Sequence, residues 1–244
     1  MEINDLLLLA KNAAGQALES LNSNSNKLLE YHYDKNLQRE LKSEIDIINN
    51  NIILEAIRKS KISYISEEST DLSSSSKNFC WIIDPLDGTV NYIRGIASCG
   101  ISIALFHNNR PVFGVVAEYP SNKLYWGGKS IGSFCNSEKI KVSNISEKKF
   151  AILATGFPAR FNFDENNMSI YNQFAKVRML GSASISLINV ANGNIDCYQE
   201  ENIMIWDVAA GLAIVEGAGG FCKYDDTRLQ SPLKVYADNG LFTQ

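Results

Sequence analysis

Histidine is nearly absent: the 244 residues include two, His32 and His107. That excludes a metal site built on imidazole. Any bound metal must be held by oxygen, which favours magnesium or a similarly hard ion. The five cysteines (Cys80, Cys99, Cys135, Cys197, Cys222) are scattered, odd in number and free of any C-x-x-C pair. The pattern argues against a zinc site and fits the reduced thiols of a cytoplasmic protein. No apolar run is long enough to span a membrane. The longest near the N-terminus, Leu6 to Ala10, follows Glu2 and Asp5 and lacks the basic start of a signal peptide. Basic charge is not in excess either. A net charge of −4 offers no surface to nucleic acid or anionic lipid. No Pro- or Ser-rich linker and no internal repeat divides the chain, which reads as one unit over residues 1–244.

The remaining composition, 45% hydrophobic and 20% charged, is that of a globular protein with a sizeable core. The segment that organises it is WIIDPLDGTVN, residues 81–91. An apolar run, Trp81-Ile82-Ile83, delivers Asp84 to the end of a strand, and Pro85 stiffens the turn. Asp87 follows three residues after Asp84, and Gly88 lets a ligand approach the backbone. Two carboxylates on a tight turn can hold a cation that in turn holds a phosphate. The same residues also make an ordinary Asp- and Gly-rich surface turn. A mildly acidic chain that binds phosphate needs a cation to mask the repulsion, so composition and motif agree.

Apolar spacing predicts a helix over residues 3–20, broken by LNSNSN at 21–26. Residues 31–42 are polar and weakly patterned, which predicts a mobile loop. Ser43 is the expected N-cap of a helix reaching about Lys59, with Asp46 in its first turn, where a carboxylate suits the helix dipole. A strand over 62–65 ends at Ser66-Glu67-Glu68-Ser69. A Ser-rich, hairpin-like connection over 71–77 then lets Glu67 return to Asp84 as a third oxygen ligand. Adjacent carboxylates after a strand are otherwise solvated charge. Strand signals over 99–106, 111–118, 123–126 and 132–136 predict an antiparallel sheet, and His107 reads as exposed. Beyond it helices and strands alternate. Strands are expected over 150–155, 177–180 and 195–199, and helices over 164–175, from Gly181-Ser182-Ala183 to Asn192-Gly193, and over 205–216. The fold class is α+β, with a metal-binding α+β half over about 1–145 and an α/β half over about 146–244.

Residues 84–91, DPLDGTVN, and 206–220, WDVAAGLAIVEGAGG, together resemble the two signature segments of the inositol monophosphatase family. ISEES, residues 65–69, resembles its third acidic segment. The resemblance runs from the first helix to the last strands and weakens over 22–42 and 156–175. It implies a layered α-β-α-β-α sandwich, a homodimer, and a magnesium-dependent, lithium-sensitive phosphatase. Carried over residue by residue, it implies that Glu67 binds a first metal, Asp84 bridges two, and Asp87 and Asp207 bind the second. Leu86 contributes its carbonyl. The amides of Gly88 and Thr89 hold the phosphate, and Asp46 accepts a hydrogen bond from the Thr89 hydroxyl. Glu67, Thr89 and Asp46 then form the catalytic set around the attacking water. Without the resemblance, Asp207 is simply an acid at a helix N-terminus. Departures exist. Ile45 replaces the usual threonine, and 31–42 lacks the short Lys-containing loop that orders a third ion, with Lys35 and Lys42 as available stand-ins. Two magnesium ions are therefore expected, with three as the alternative.

Glu200 lies seven residues before Asp207 and matches the glutamate that contacts substrate hydroxyls in inositol phosphatases. A carboxylate accepts hydrogen bonds from a polyol and repels a second phosphate. Ala183 matches the small residue beside the inositol ring. Ser184-Ile185-Ser186-Leu187 contains no basic residue, unlike the family's nucleotide phosphatases. The substrate implied is a phosphate monoester of inositol or a sugar, not a nucleic acid polymer or a membrane. The alternatives are a 3'(2'),5'-bisphosphate nucleotidase, a fructose-1,6-bisphosphatase, and a non-enzymatic regulatory binding protein.

Overall fold

The computed structural model describes residues 1–25, 31–33, 41–72, 79–156, 169–224 and 231–242, with 31–33 and 41–43 described by their backbone alone. Two long helices open the chain, α1 (Ile3–Asn24) and α2 (Glu44–Ile57). An eight-stranded sheet follows, built from β3 (Ser63–Ser66), β4 (Thr70–Asp71), β5 (Phe79–Asp87), β6 (Cys99–His107), β7 (Arg110–Tyr119), β8 (Lys123–Gly128), β9 (Gly132–Cys135) and β10 (Glu138–Lys139). Its order is β10-β9-β8-β7-β6-β5-β3-β4, antiparallel as expected except for the parallel pair β3–β5. A short helix, α3 (Thr89–Ile93), follows β5. The C-terminal part holds β11 (Ile152–Ala154), β12 (Lys176–Arg178), α4 (Ala183–Ala191), β13 (Cys197–Ile203), α5 (Ile205–Gly217), β14 (Phe221–Tyr224) and β15 (Leu233–Asp238). Its five strands form a mixed sheet ordered β12-β11-β13-β15-β14.

Strand alternation sets the layers. From β5 and β6, Trp81, Ile83, Ile101, Ile103 and Leu105 pack against α1 and α2, whereas Ile82, Ala104 and Phe106 face α4 and α5. Helices α4 and α5 are apolar on nearly every side because each lies between the two sheets. Beyond the small sheet, Ile170, Tyr171, Phe174 and Phe242 pack on Leu153, Cys197 and Tyr236. The result is the α-β-α-β-α sandwich of the α+β class. Among the described residues, no helix is long and apolar enough to cross a membrane.

Several local expectations are corrected. Helix α1 does not stop at 20 but continues to Asn24. The side chains of Asn22, Ser23 and Asn24 donate to the carbonyls of Leu18, Glu19 and Ser20, so residues read as breakers extend the helix. Where a mobile loop was expected, β1 (Tyr31–Tyr33) and β2 (Leu41–Ser43) pair antiparallel, and three-residue strands are too short to show a period. Residues 34–40 and the Ser43 side chain lie outside the described residues, as do Lys35 and Lys42 as side chains. The hairpin near Glu67 joins β3 to β4 and does not lead to β5, because β3 and β5 run parallel; residues 73–78 lie outside the described set. Of the helix expected over 164–175, residues 169–171 are helical and 164–168 lie outside the described residues. His107 is half-buried and stacks on Phe79, with ring centroids 4.4 Å apart.

Candidate active site

Strand β5 does not end at Asp84, as the sequence suggests, but runs to Asp87 across an irregularity. Asp84 pairs with Ser102 and Asp87 with Gly100, so β5 carries one more residue than β6 between those pairs. Pro85 has no N–H for the ladder, which suits it to a bulge. In a regular strand, residues three apart point to opposite faces; the extra residue returns Asp87 to the face of Asp84. That face looks towards α4 and α5. Ser102 Oγ, opposite Asp84, donates to the Trp206 carbonyl at 3.2 Å and so ties the start of α5 to the sheet. Asp207, next in the chain, thereby joins the two strand aspartates. Carboxylate oxygens of Asp84, Asp87 and Asp207 all lie within 4.8 Å of one another.

Each aspartate is held by one set of bonds and leaves other lone pairs available. Asp84 Oδ1 accepts the Leu86 N–H at 2.9 Å. Asp87 Oδ2 accepts both the Ser182 hydroxyl and the Ser184 N–H, each at 2.6 Å. Ser182 is also the N-cap of α4, accepting from the Ile185 N–H at 3.2 Å, so the start of that helix fixes Asp87. Asp207 Oδ2 accepts the Met204 N–H at 3.1 Å, which makes it a helix N-terminal acid as well as a member of the cluster. Burial pushes the Asp84 carboxyl well above its usual range, and the charges of Glu67, Asp87 and Asp207 push it further. Burial likewise raises Asp207, with help from Asp87 and Glu67. Asp87 is raised by burial, against the pull of its bonds to Ser182 and Ser184. Three crowded carboxylates, those of Asp84 and Asp87 buried and that of Asp207 half-buried, need protons or a cation to coexist. An all-oxygen donor set fits magnesium, and this cluster can hold a metal.

Glu67 sits outside that tightest grouping, but its charge acts on both Asp84 and Asp207. Its N–H donates to the Ile83 carbonyl at 3.1 Å, which places the residue alongside β5 next to Asp84. Thr89 Oγ1 lies 2.8 Å from Asp46 Oδ1 and 3.0 Å from the Leu86 carbonyl, so Asp46, Leu86 and Thr89 meet as one group. Gly88 adopts φ +89°, and a Cβ there would lie 3.0 Å from both Cys99 Cβ and the Ser98 carbonyl. Only glycine fits that position without strain.

Ala183 and Glu200 share a cleft of about 250 Å³ with Asp87 and Asp207. Glu200 Oε2 accepts the Tyr198 hydroxyl at 2.7 Å. Gly156 packs so closely that a Cβ would lie 2.0 Å from Glu200 Oε1. Burial raises the Glu200 carboxyl to about 7; the Tyr198 and Gly156 hydrogen bonds oppose this, and the Asp87 charge adds to it. A larger groove, about 1030 Å³, runs beside Asn12, Gln16 and Glu55 and contains none of these residues. Sequence reasoning missed Ser182, Ser184, Tyr198 and Gly156. Tyr198 was detectable, since residues two apart on a strand share a face. Ser182 was detectable only as an N-cap.

Residues 3–240 match the inositol monophosphatase family. The chain is 33% identical over 223 residues to the fructose-1,6-bisphosphatase/inositol-1-monophosphatase of Aquifex aeolicus, covering 88% of this chain and 83% of that protein. It is 31% identical over 225 residues to the Nus factor SuhB of Xylella fastidiosa, covering 90% and 80% respectively. The solved structure of an inositol monophosphatase from Anabaena superposes with a TM-score of 0.81 at 30% identity, over 99% of this chain and 93% of that one. Fold, acid cluster and sequence agree, and this chain is a member of the inositol monophosphatase family.

Proposed function

We propose that this protein is a magnesium-dependent phosphatase that hydrolyses a phosphate monoester of inositol or a sugar. The observation that carries this reading is the Asp84, Asp87 and Asp207 cluster, two of whose members, Asp87 and Asp207, line the cleft that also holds Ala183 and Glu200. Two magnesium ions, held by Glu67, Asp84, the Leu86 carbonyl, Asp87 and Asp207, would supply charge neutralisation and Lewis acidity. The protein groups do the rest. The Thr89 hydroxyl directs its single hydrogen at Asp46 and the Leu86 carbonyl and stays protonated, which leaves the Thr89 oxygen lone pairs to accept a hydrogen bond from the attacking water. Glu67 shares in orienting that water. The amides of Gly88 and Thr89 receive the phosphate. Glu200 accepts hydrogen bonds from substrate hydroxyls, and Ala183 leaves room for the ring.

The size and charge of the cleft favour a small monoester. Its volume of about 250 Å³ is below that of pockets for drug-sized ligands, roughly 300–1,000 Å³. Among the described residues lining it there is no lysine or arginine to receive a second phosphate. A cytoplasmic homodimer belongs to the same reading. The test is phosphate release from a panel of inositol, sugar and nucleotide phosphates, with and without magnesium. Magnesium-dependent release from an inositol or sugar monophosphate is expected. Faster release from a 3',5'-bisphosphorylated nucleotide would overturn the substrate class. The Xylella relative is a Nus factor, which favours a second reading as a regulatory binding protein. No release from any panel member would favour that reading.

A further inference from the structure

Helix α2 buries a polar face. Asp46, Asn49 and Asn50 are 2%, 0% and 6% exposed, positions where apolar side chains would serve packing alone. Each reaches a different segment of the acid cluster's surroundings. Asp46 meets Thr89, and Asn49 Nδ2 donates to the Pro85 carbonyl at 3.3 Å, inside the β5 bulge. Asn49 Oδ1 is buried and has no hydrogen-bond partner among the described residues. Asn50 uses both ends of its amide. Ser66 Oγ donates to its Oδ1 at 2.8 Å, and its Nδ2 donates to Ser69 Oγ at 3.3 Å.

Ser66 and Ser69 bracket Glu67. The Ser66 N–H donates to the Ser69 carbonyl at 2.7 Å, and the Glu68 N–H donates to Ser66 Oγ at 3.4 Å. One buried amide therefore grips both ends of the turn that presents Glu67. We propose that Asn50 is a positioning residue that sets the metal affinity of Glu67 by holding this turn in its binding shape. The proposal rests on the metal-ligand reading of Glu67 above. Asparagine suits the task because one planar group supplies an acceptor to Ser66 and a donor to Ser69. Leucine, similar in size, supplies neither. Aspartate would add a negative charge to a crowded acidic site.

The test uses the full chain stripped of metal, with magnesium binding measured by calorimetry and manganese binding by electron paramagnetic resonance. Asn50→Leu is expected to weaken binding about tenfold, in line with residues that orient metal ligands, and to raise the magnesium needed for half-activation equally. Saturating magnesium restores most of kcat, which loss of a catalytic group would not allow. Ser69→Ala removes one of the two contacts at a half-buried position and shows a smaller shift in the same direction. It decides the matter if Asn50→Leu does not fold. Variants that melt earlier but bind magnesium like the wild type would overturn the proposal and leave Asn50 purely structural. Glu67→Gln separates the two claims. If it binds magnesium normally, the ligand reading fails and takes the proposal with it. If it weakens binding while Asn50→Leu and Ser69→Ala do not, the positioning claim alone fails.

Discussion

Replacing Glu200 by glutamine stabilises the metal-free protein at pH 8 but not at pH 5. The native carboxyl titrates at about 7 against an ordinary value of 4.5, with burial as the main cause. A raised folded-state pKa means the native state holds its proton more tightly than the unfolded chain. The stabilisation is full below pH 4.5 and is lost as pH rises through 7. At about 1.4 kcal/mol per unit, the gap between the two values amounts to about 3 kcal/mol, most of it lost between pH 5 and 8. Glutamine does not titrate and escapes this loss. It offers one acceptor oxygen where the carboxylate offers two, so either the Tyr198 or the Gly156 bond goes, at about 1 kcal/mol. The variant should be more stable at pH 8 by about 2 kcal/mol, or roughly 4–8 °C in Tm. At pH 5 it should be equal or slightly weaker. Urea unfolding of both proteins in chelator, followed by tryptophan fluorescence, gives the difference at each pH. Asp84, Asp87 and Asp207 titrate in both proteins, and because the Asp87 charge acts on Glu200 the difference reports Glu200 together with that coupling. A stability gap that stays flat from pH 5 to 8 would refute the assignment of this carboxyl.

Two further outcomes follow from the geometry. Ser182→Ala removes the N-cap of α4 and one of the two bonds on Asp87 Oδ2, so calorimetry should show weaker magnesium binding alongside a stability loss of about 1 kcal/mol. Gly88→Ala forces a side chain into a φ of +89° and against Cys99, and should lower stability by about 1–3 kcal/mol in denaturant unfolding.

The readable parts of the site were those fixed by residue type. Asp84, Asp87, Gly88 and Asp207 stand in the two short segments that carry the family resemblance, and the strands of the large sheet follow their apolar runs. What stayed hidden depends on contacts distant in sequence or on local irregularity. Ser182 and Ser184 lie 95 and 97 residues from the carboxylate they hold, and nothing in their own segment points to it. The bulge at Pro85 reads in sequence as a strand end, because a proline that leaves the ladder looks the same whether pairing resumes or not. Nothing in the helical spacing marks Asn49 and Asn50 as buried, since only the folded structure shows what covers them. Helix α1 outran its apparent breakers because asparagine and serine side chains can bond back to the helix as readily as they cap it.

The most direct test of a metal-dependent phosphatase is phosphate release from inositol 1-phosphate across a magnesium titration, for the wild type and for Asp84→Asn. The wild type should show no release in chelator and saturable release with magnesium. Folded Asp84→Asn should fall on the order of 100-fold or more below it at every concentration. Release that ignores chelation, or near-normal turnover by the folded variant, would contradict the assignment of Asp84, Asp87 and Asp207 as the metal-holding core of the site.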